Sequence, residues 1–100
     1  MEFREIRDAA RLALKRGMQT QHFVYVLESL ADPDRQYVGL AVNVSHRLEA
    51  HNAGQSPHTA RHRPWRLLVA IGFADADRAV RFGKFLRTDT GRAFARHHFR

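Results

Sequence analysis

Phe23-Val24-Tyr25-Val26-Leu27 and Gln36-Tyr37-Val38-Gly39-Leu40-Ala41 decide the fold. Both stretches are rich in β-branched and aromatic residues, and between them Ala31-Asp32-Pro33-Asp34 has Pro and Asp where turns favour them. Together they predict an antiparallel hairpin. Trp65 to Phe73 (WRLLVAIGF) is the strongest strand signal in the chain. Asn43 caps a helix that runs through Leu48 and Ala50 and is closed by Gly54. Asp75 caps another, from Ala76 to about Arg87, with Ala79, Val80, Phe82, Phe85 and Leu86 on one face.

Outward from these, residues 2–16 place Phe3, Ile6, Ala10, Ala13 and Leu14 at helical spacing and predict an amphipathic helix ending at Gly17. Gln55 to Pro64 reads as a polar loop rich in His and Arg. Thr88-Asp89-Thr90-Gly91 predicts a break, followed by a last short helix from Arg92 to Phe99 with Phe94 and Phe99 inward. The expected architecture is α+β: a small three-stranded, mostly antiparallel sheet flanked by helices. An N-terminal helix within residues 1–18 precedes a single domain over 22–100.

The composition narrows the function. One hundred residues with 44% hydrophobic content suit one small domain. Cys is absent, which excludes a disulfide scaffold, a thiolate zinc site and a cysteine nucleophile. No apolar run approaches the ~20 residues of a membrane span, and MEFREIRDAA lacks the apolar core of a secretory signal, so the expected location is cytoplasmic with no membrane partner. The net charge is +7. Residues 1–20 carry +2, residues 21–60 carry −2 and residues 61–100 carry +7, nearly all of that from Arg. Arg presents a planar donor fork that fits two phosphate oxygens at once, which favours nucleic acid as partner; a solvated basic surface is the alternative.

Val24-Tyr25, then Tyr37-Val38-Gly39, then Arg47 eight residues later resemble the GIY-YIG nuclease superfamily, with Phe23 where the first Gly of the name would stand. Arg47-Leu48 followed by His51-Asn52-Ala53-Gly54, with Pro64-Trp65-Arg66 and Gly91-Arg92-Ala93-Phe94, is similar to the small single-domain bacterial members and, through them, to the nuclease domain of the excinuclease C subunit. The likeness covers residues 22–99. It implies metal-dependent hydrolysis of a nucleic-acid phosphodiester, with Mg²⁺ or Mn²⁺ as cofactor and DNA as the expected partner. Tyr25 would orient or deprotonate the water, Tyr37 would support it and Arg47 would neutralise the phosphate. His51, one helical turn after Arg47, would carry a proton or bind a second phosphate oxygen. Gly39, Arg61, Arg63, Lys84 and Arg92 are the expected nucleic-acid contacts. Apart from the family, the tyrosines could be ordinary core residues and Arg47 a solvated one.

One position departs from the pattern. The family's metal ligand is a Glu after an aromatic on the helix behind the third strand, and here that stretch reads Phe82-Gly83-Lys84-Phe85-Leu86. A hard divalent cation needs oxygen ligands, and Gly83 offers no side chain. Gly inside a helix also costs about 1 kcal/mol relative to Ala, so helix stability does not favour it. Asp89 is the one weak substitute. Glu49 points away from Arg47, and Asp75 and Asp77 suit a helix start. His58 and His62 have i, i+4 spacing, but in a segment flanked by Pro57 and Pro64 without a partner ligand; His97 and His98 read as surface.

Three functions compete. One is a nucleic-acid-binding domain whose cleavage is lost or weak. Another is a structure-selective DNA endonuclease with a non-standard metal site. The last is an interaction module whose N-terminal helix pairs two subunits or docks a partner.

Overall fold

The computed structural model describes residues 21–100. The N-terminal helix expected within residues 1–18, and the homodimer or docking role attached to it, lie outside the described residues. Three strands, β1 (His22–Ser29), β2 (Gln36–Ala41) and β3 (Trp65–Phe73), form one sheet in the order β2-β1-β3. Both pairings are antiparallel, so the sheet is wholly antiparallel. Tyr25 stands opposite Gly39 and Leu27 opposite Tyr37. The β1–β3 register shifts between Val26 and Leu27, which leaves Leu68 unpaired as a bulge.

Because β1 is central, both its faces are covered, and alternate residues go to different layers. Val24 and Val26 pack with Ala79, Leu86 and Ala95 from two helices, α3 (Ala76–Leu86) and α4 (Asp89–Phe99). Phe73, Phe82, Phe85, Phe94 and Phe99 extend this layer as a chain of rings with centroids 5.6 to 6.3 Å apart. Tyr25 and Leu27 face the other way, to Trp65, Tyr37, Val44 and Leu48, beneath α1 (Val44–Asn52).

The local signals are realised by local bonds. Asn43 Oδ1 accepts from the His46 amide at 3.0 Å, and Asp75 Oδ1 accepts from the Asp77 amide at 2.9 Å. Two expectations need correction. The segment from Gln55 to Pro64 is not all loop: Ser56 precedes a one-turn helix, α2 (Pro57–Ala60), with Pro at its start, where the missing N–H costs nothing. Nor does Thr88-Asp89-Thr90-Gly91 merely break the chain. Thr88 Oγ1 accepts from the Gly91 amide at 3.0 Å and so caps α4, which starts at Asp89 rather than Arg92. Gly91 lies in that first turn because any Cβ there would run into the Phe85 carbonyl.

The chain's end is tied to β1. Glu28, nearly buried, receives Arg66 at 2.9 Å and Arg100 at 3.2 Å, and Arg100 also donates to the Pro33 carbonyl. No helix of the described residues is long and apolar enough to cross a membrane.

Candidate active site

The α1 side of the sheet gathers the residues singled out in the sequence. Tyr25, in the central strand, is 1% exposed. Its ring lies across Gly39, and a Cβ at that position would strike the ring, so Gly is what lets the phenol lie flat on β2. Tyr37, two residues before Gly39, is half-buried on the same face, its ring centroid 6.1 Å from that of Tyr25. His51, in the last turn of α1, is buried against both; its ring centroid is 4.7 Å from that of Tyr37.

A single line of hydrogen bonds runs through this cluster. His51 Nδ1 is 2.8 Å from Thr59 Oγ1, and His51 Nε2 is 3.0 Å from the Tyr25 hydroxyl. The Thr59 hydroxyl donates its hydrogen to the Ser56 carbonyl. It therefore accepts from His51 Nδ1–H, which leaves Nε2 bare to accept from the Tyr25 hydroxyl. The backbone of Thr59 is held in turn: Trp65 Nε1 donates to its carbonyl at 2.8 Å. Asn52, next to His51, accepts from the Trp65 amide at 2.6 Å and donates to the Trp65 carbonyl at 3.0 Å. Packing and two-point hydrogen bonding thus fix the imidazole's plane.

Electrostatics keep the line neutral. Burial, with the Tyr37 phenol alongside, pushes the Tyr25 hydroxyl up to about 12, while the Arg47 guanidinium pulls the other way. Burial also lowers His51, and the Arg47 charge lowers it further. At neutral pH the centre therefore holds a protonated phenol against a neutral imidazole.

Arg47 is exposed on α1, one turn before His51. Its charge reaches both members of the pair, and it borders a groove with Leu40, Ala41, Ala79 and Val80. The structure brings Tyr25, Tyr37 and His51 into contact, with Arg47 at the solvent edge. Tyr25 itself is covered, its hydroxyl committed to His51.

The other expected residues are dispersed. Arg61 follows α2 and is exposed; Arg63 donates to the Ala60 carbonyl at 2.7 Å; Lys84 is exposed on α3. Arg92 lies on α4 in a cleft beside β2. Gly83 is buried on α3 against Leu40. Asp89 is fully exposed at the start of α4, 3.9 Å from Arg92. Among the described residues no three His, Cys, Asp or Glu side chains stand close enough to hold a metal ion, and His58 and His62 form no such group.

The site roles of Thr59, Asn52 and Leu40 escaped the sequence reading, although Asn52 and Leu40 stand in the stretches it used. Ser56-Pro57, a helix-start signature, was the available signal for the turn that presents Thr59.

Comparison with known proteins places the chain in a family. The model of the GIY-YIG catalytic domain matches residues 21–93. A curated relative, the structure-specific endonuclease subunit SLX1 homolog of Giardia intestinalis, is 34% identical over 64 residues, 60% of this chain. The chain spans 18% of that relative's length. No solved structure matches.

Proposed function

The chain belongs to the GIY-YIG catalytic domain family, and from that premise we propose that it binds the sugar-phosphate backbone of DNA at the Tyr25–Tyr37–Arg47–His51 centre, with cleavage lost or weak. The observation that carries this reading is an assembled set of phenols, imidazole and guanidinium with no carboxylate joining them among the described residues. Gly83 stands where the resemblance expects the anion.

The donor set does not fit the family's divalent cation. Mg²⁺ and Mn²⁺ prefer oxyanion ligands. Here the oxygen donors are phenols, of which Tyr25 keeps its proton up to about pH 12, and the nearby charge is the cation of Arg47. No step is therefore routed through a metal. Arg47, exposed, supplies positive charge to a phosphate, and the half-buried Tyr37 offers a hydroxyl beside it. His51 Nε2 holds the Tyr25 hydroxyl and Thr59 holds the ring from the other side, so the buried pair braces the cluster beneath Tyr37 and Arg47. Nothing in this set assists the leaving oxygen. Loss of such assistance costs several powers of ten in rate, at about 1.4 kcal/mol per power.

The location that suits this activity is the cytoplasm. Binding dominated by phosphate contacts weakens steeply with salt and carries little base preference. The test is supercoiled plasmid incubated with stoichiometric purified protein and Mn²⁺. We expect retarded migration at low salt and no nicking above the protein-free control.

A second reading has its own support in the 34% identity to a chain named as a structure-specific endonuclease subunit. It makes the protein an active structure-selective endonuclease that works with a partner. Robust Mn²⁺-dependent nicking, strongest on branched DNA, would establish it and overturn the first.

A further inference from the structure

A cleft of about 540 Å³ opens at the end of β2 away from Arg47. Arg35, Arg87, Arg92, Arg96 and Arg100 line it against one carboxylate, Asp34. Arg92 and Arg96 on α4 and Arg100 at its C-cap recur every four residues and so form one stripe. Two of the five brace the walls. Arg87 donates to the Val38 carbonyl at 2.7 Å, and Arg100 is held by Glu28 and the Pro33 carbonyl.

The other three are available. Arg35 is 3.7 Å from Asp32 and Arg92 3.9 Å from Asp89, loose exposed pairs of the kind that contribute little. Arg96 has no ion pair among the described residues. Gln36 also lines the cleft, its side-chain amide nitrogen buried without a hydrogen-bond partner among the described residues.

Position selects the ligand. Tyr37 lines this cleft and also touches the His51 ring, so the two meet at edge strand β2, the cleft on its α4 side and the phenol centre on its α1 side. From Ala41, beside Arg47, to Gln36 the strand covers about 17 Å at roughly 3.3 Å per residue, or about five steps of a nucleic-acid strand at 3.4 Å rise. Positive charge at both ends of such a path suits a repeating polyphosphate, and planar guanidinium forks suit its oxygens. We propose that Arg35, Arg92 and Arg96 form a second phosphate site that grips the same nucleic acid where it runs off the phenol centre across β2. This rests on the DNA-binding function proposed above and extends it to an arm of the substrate that the centre does not touch.

The experiment is a salt titration of binding to a labelled 20-base-pair duplex, followed by anisotropy. It compares the wild type with Arg92→Gln/Arg96→Gln, with Arg47→Gln, and with Arg78→Gln as a charge control on α3 outside the cleft. The double variant, melting like wild type, is expected to bind at least tenfold more weakly at low salt. Its plot of log K against log salt should be shallower by about 1.8, the equivalent of two phosphate contacts. Arg78→Gln should leave the slope unchanged. A wild-type slope in the double variant, while Arg47→Gln weakens binding, would overturn the cleft and leave the phenol centre standing. Loss in the double variant with none in Arg47→Gln would keep the cleft and sink the centre as a phosphate site. A double variant that loses affinity for a polyglutamate peptide but keeps it for the duplex would also overturn the proposal, assigning the cleft to an acidic protein.

Discussion

A methyl carbon of Leu40, on edge strand β2, lies 3.6 Å from the point where a side chain on Gly83 would place its Cβ. That is ordinary van der Waals contact, so α3 can carry a Cβ at this position without moving. Leu40 also borders the groove that reaches Arg47. Where the family resemblance expects a carboxylate, the two elements meet through an apolar contact.

Gly83→Glu should therefore fold. Replacing a helical Gly gains up to about 1 kcal/mol, offset by burying a carboxylate beside Leu40. The expected outcome is a melting temperature at or near that of the wild type and the appearance of Mn²⁺-dependent plasmid nicking. A folded variant without any nicking would show that the centre has decayed at further positions.

The buried imidazole should leave a mark on the pH dependence of stability. The pKa of His51 is lowered in the folded state, while the unfolded chain titrates near the ordinary value of about 6.5. On acidification through that range the unfolded state takes up the proton first. Stability therefore falls as the pH drops from about 7.5 toward 5 and levels off once the folded state also protonates. Thermal unfolding across that window checks it, with His51→Gln expected to flatten the slope. An equally steep slope in the variant would assign the effect to other histidines.

Thr59→Val keeps the shape of the side chain but removes the oxygen that receives His51 Nδ1–H. The imidazole must then leave a buried N–H unpaired, at a cost of about 1–3 kcal/mol, or move its proton to Nε2 and give up the lone pair that Tyr25 uses. Ring ¹⁵N chemical shifts distinguish the tautomers. The wild type is expected to show Nδ1–H and the variant to show Nε2–H or a mixture, with lower stability. An unchanged Nδ1–H signal at wild-type stability would remove Thr59 from its place as the group that positions His51.

The strands and most helix starts were legible because their causes are local. Tyr25 and Tyr37 lie in runs of β-branched and aromatic residues, and Asn43 and Asp75 bond to amides two or three residues ahead. Thr88 carries the same kind of signal, yet the following Gly91 reads as a breaker. Only the packing of α4 on the Phe85 carbonyl shows why Gly stands inside a helix.

The sequence by itself determined the order of the three strands and the longer helices, and the spacing of Arg47 and His51 on one helix. It determined as well that residue 83 has no side chain to offer. Tertiary structure alone decided which partner each polar group received: Thr59 for His51, His51 for Tyr25, Glu28 for both Arg66 and Arg100. It also decided that the arginines of α4 face the turn before β2 as one cleft. The physical reason is reach. Propensity and capping act over a few residues along the chain, whereas these contacts join groups 8 to 72 positions apart, brought together only when the sheet and helices bury their apolar faces.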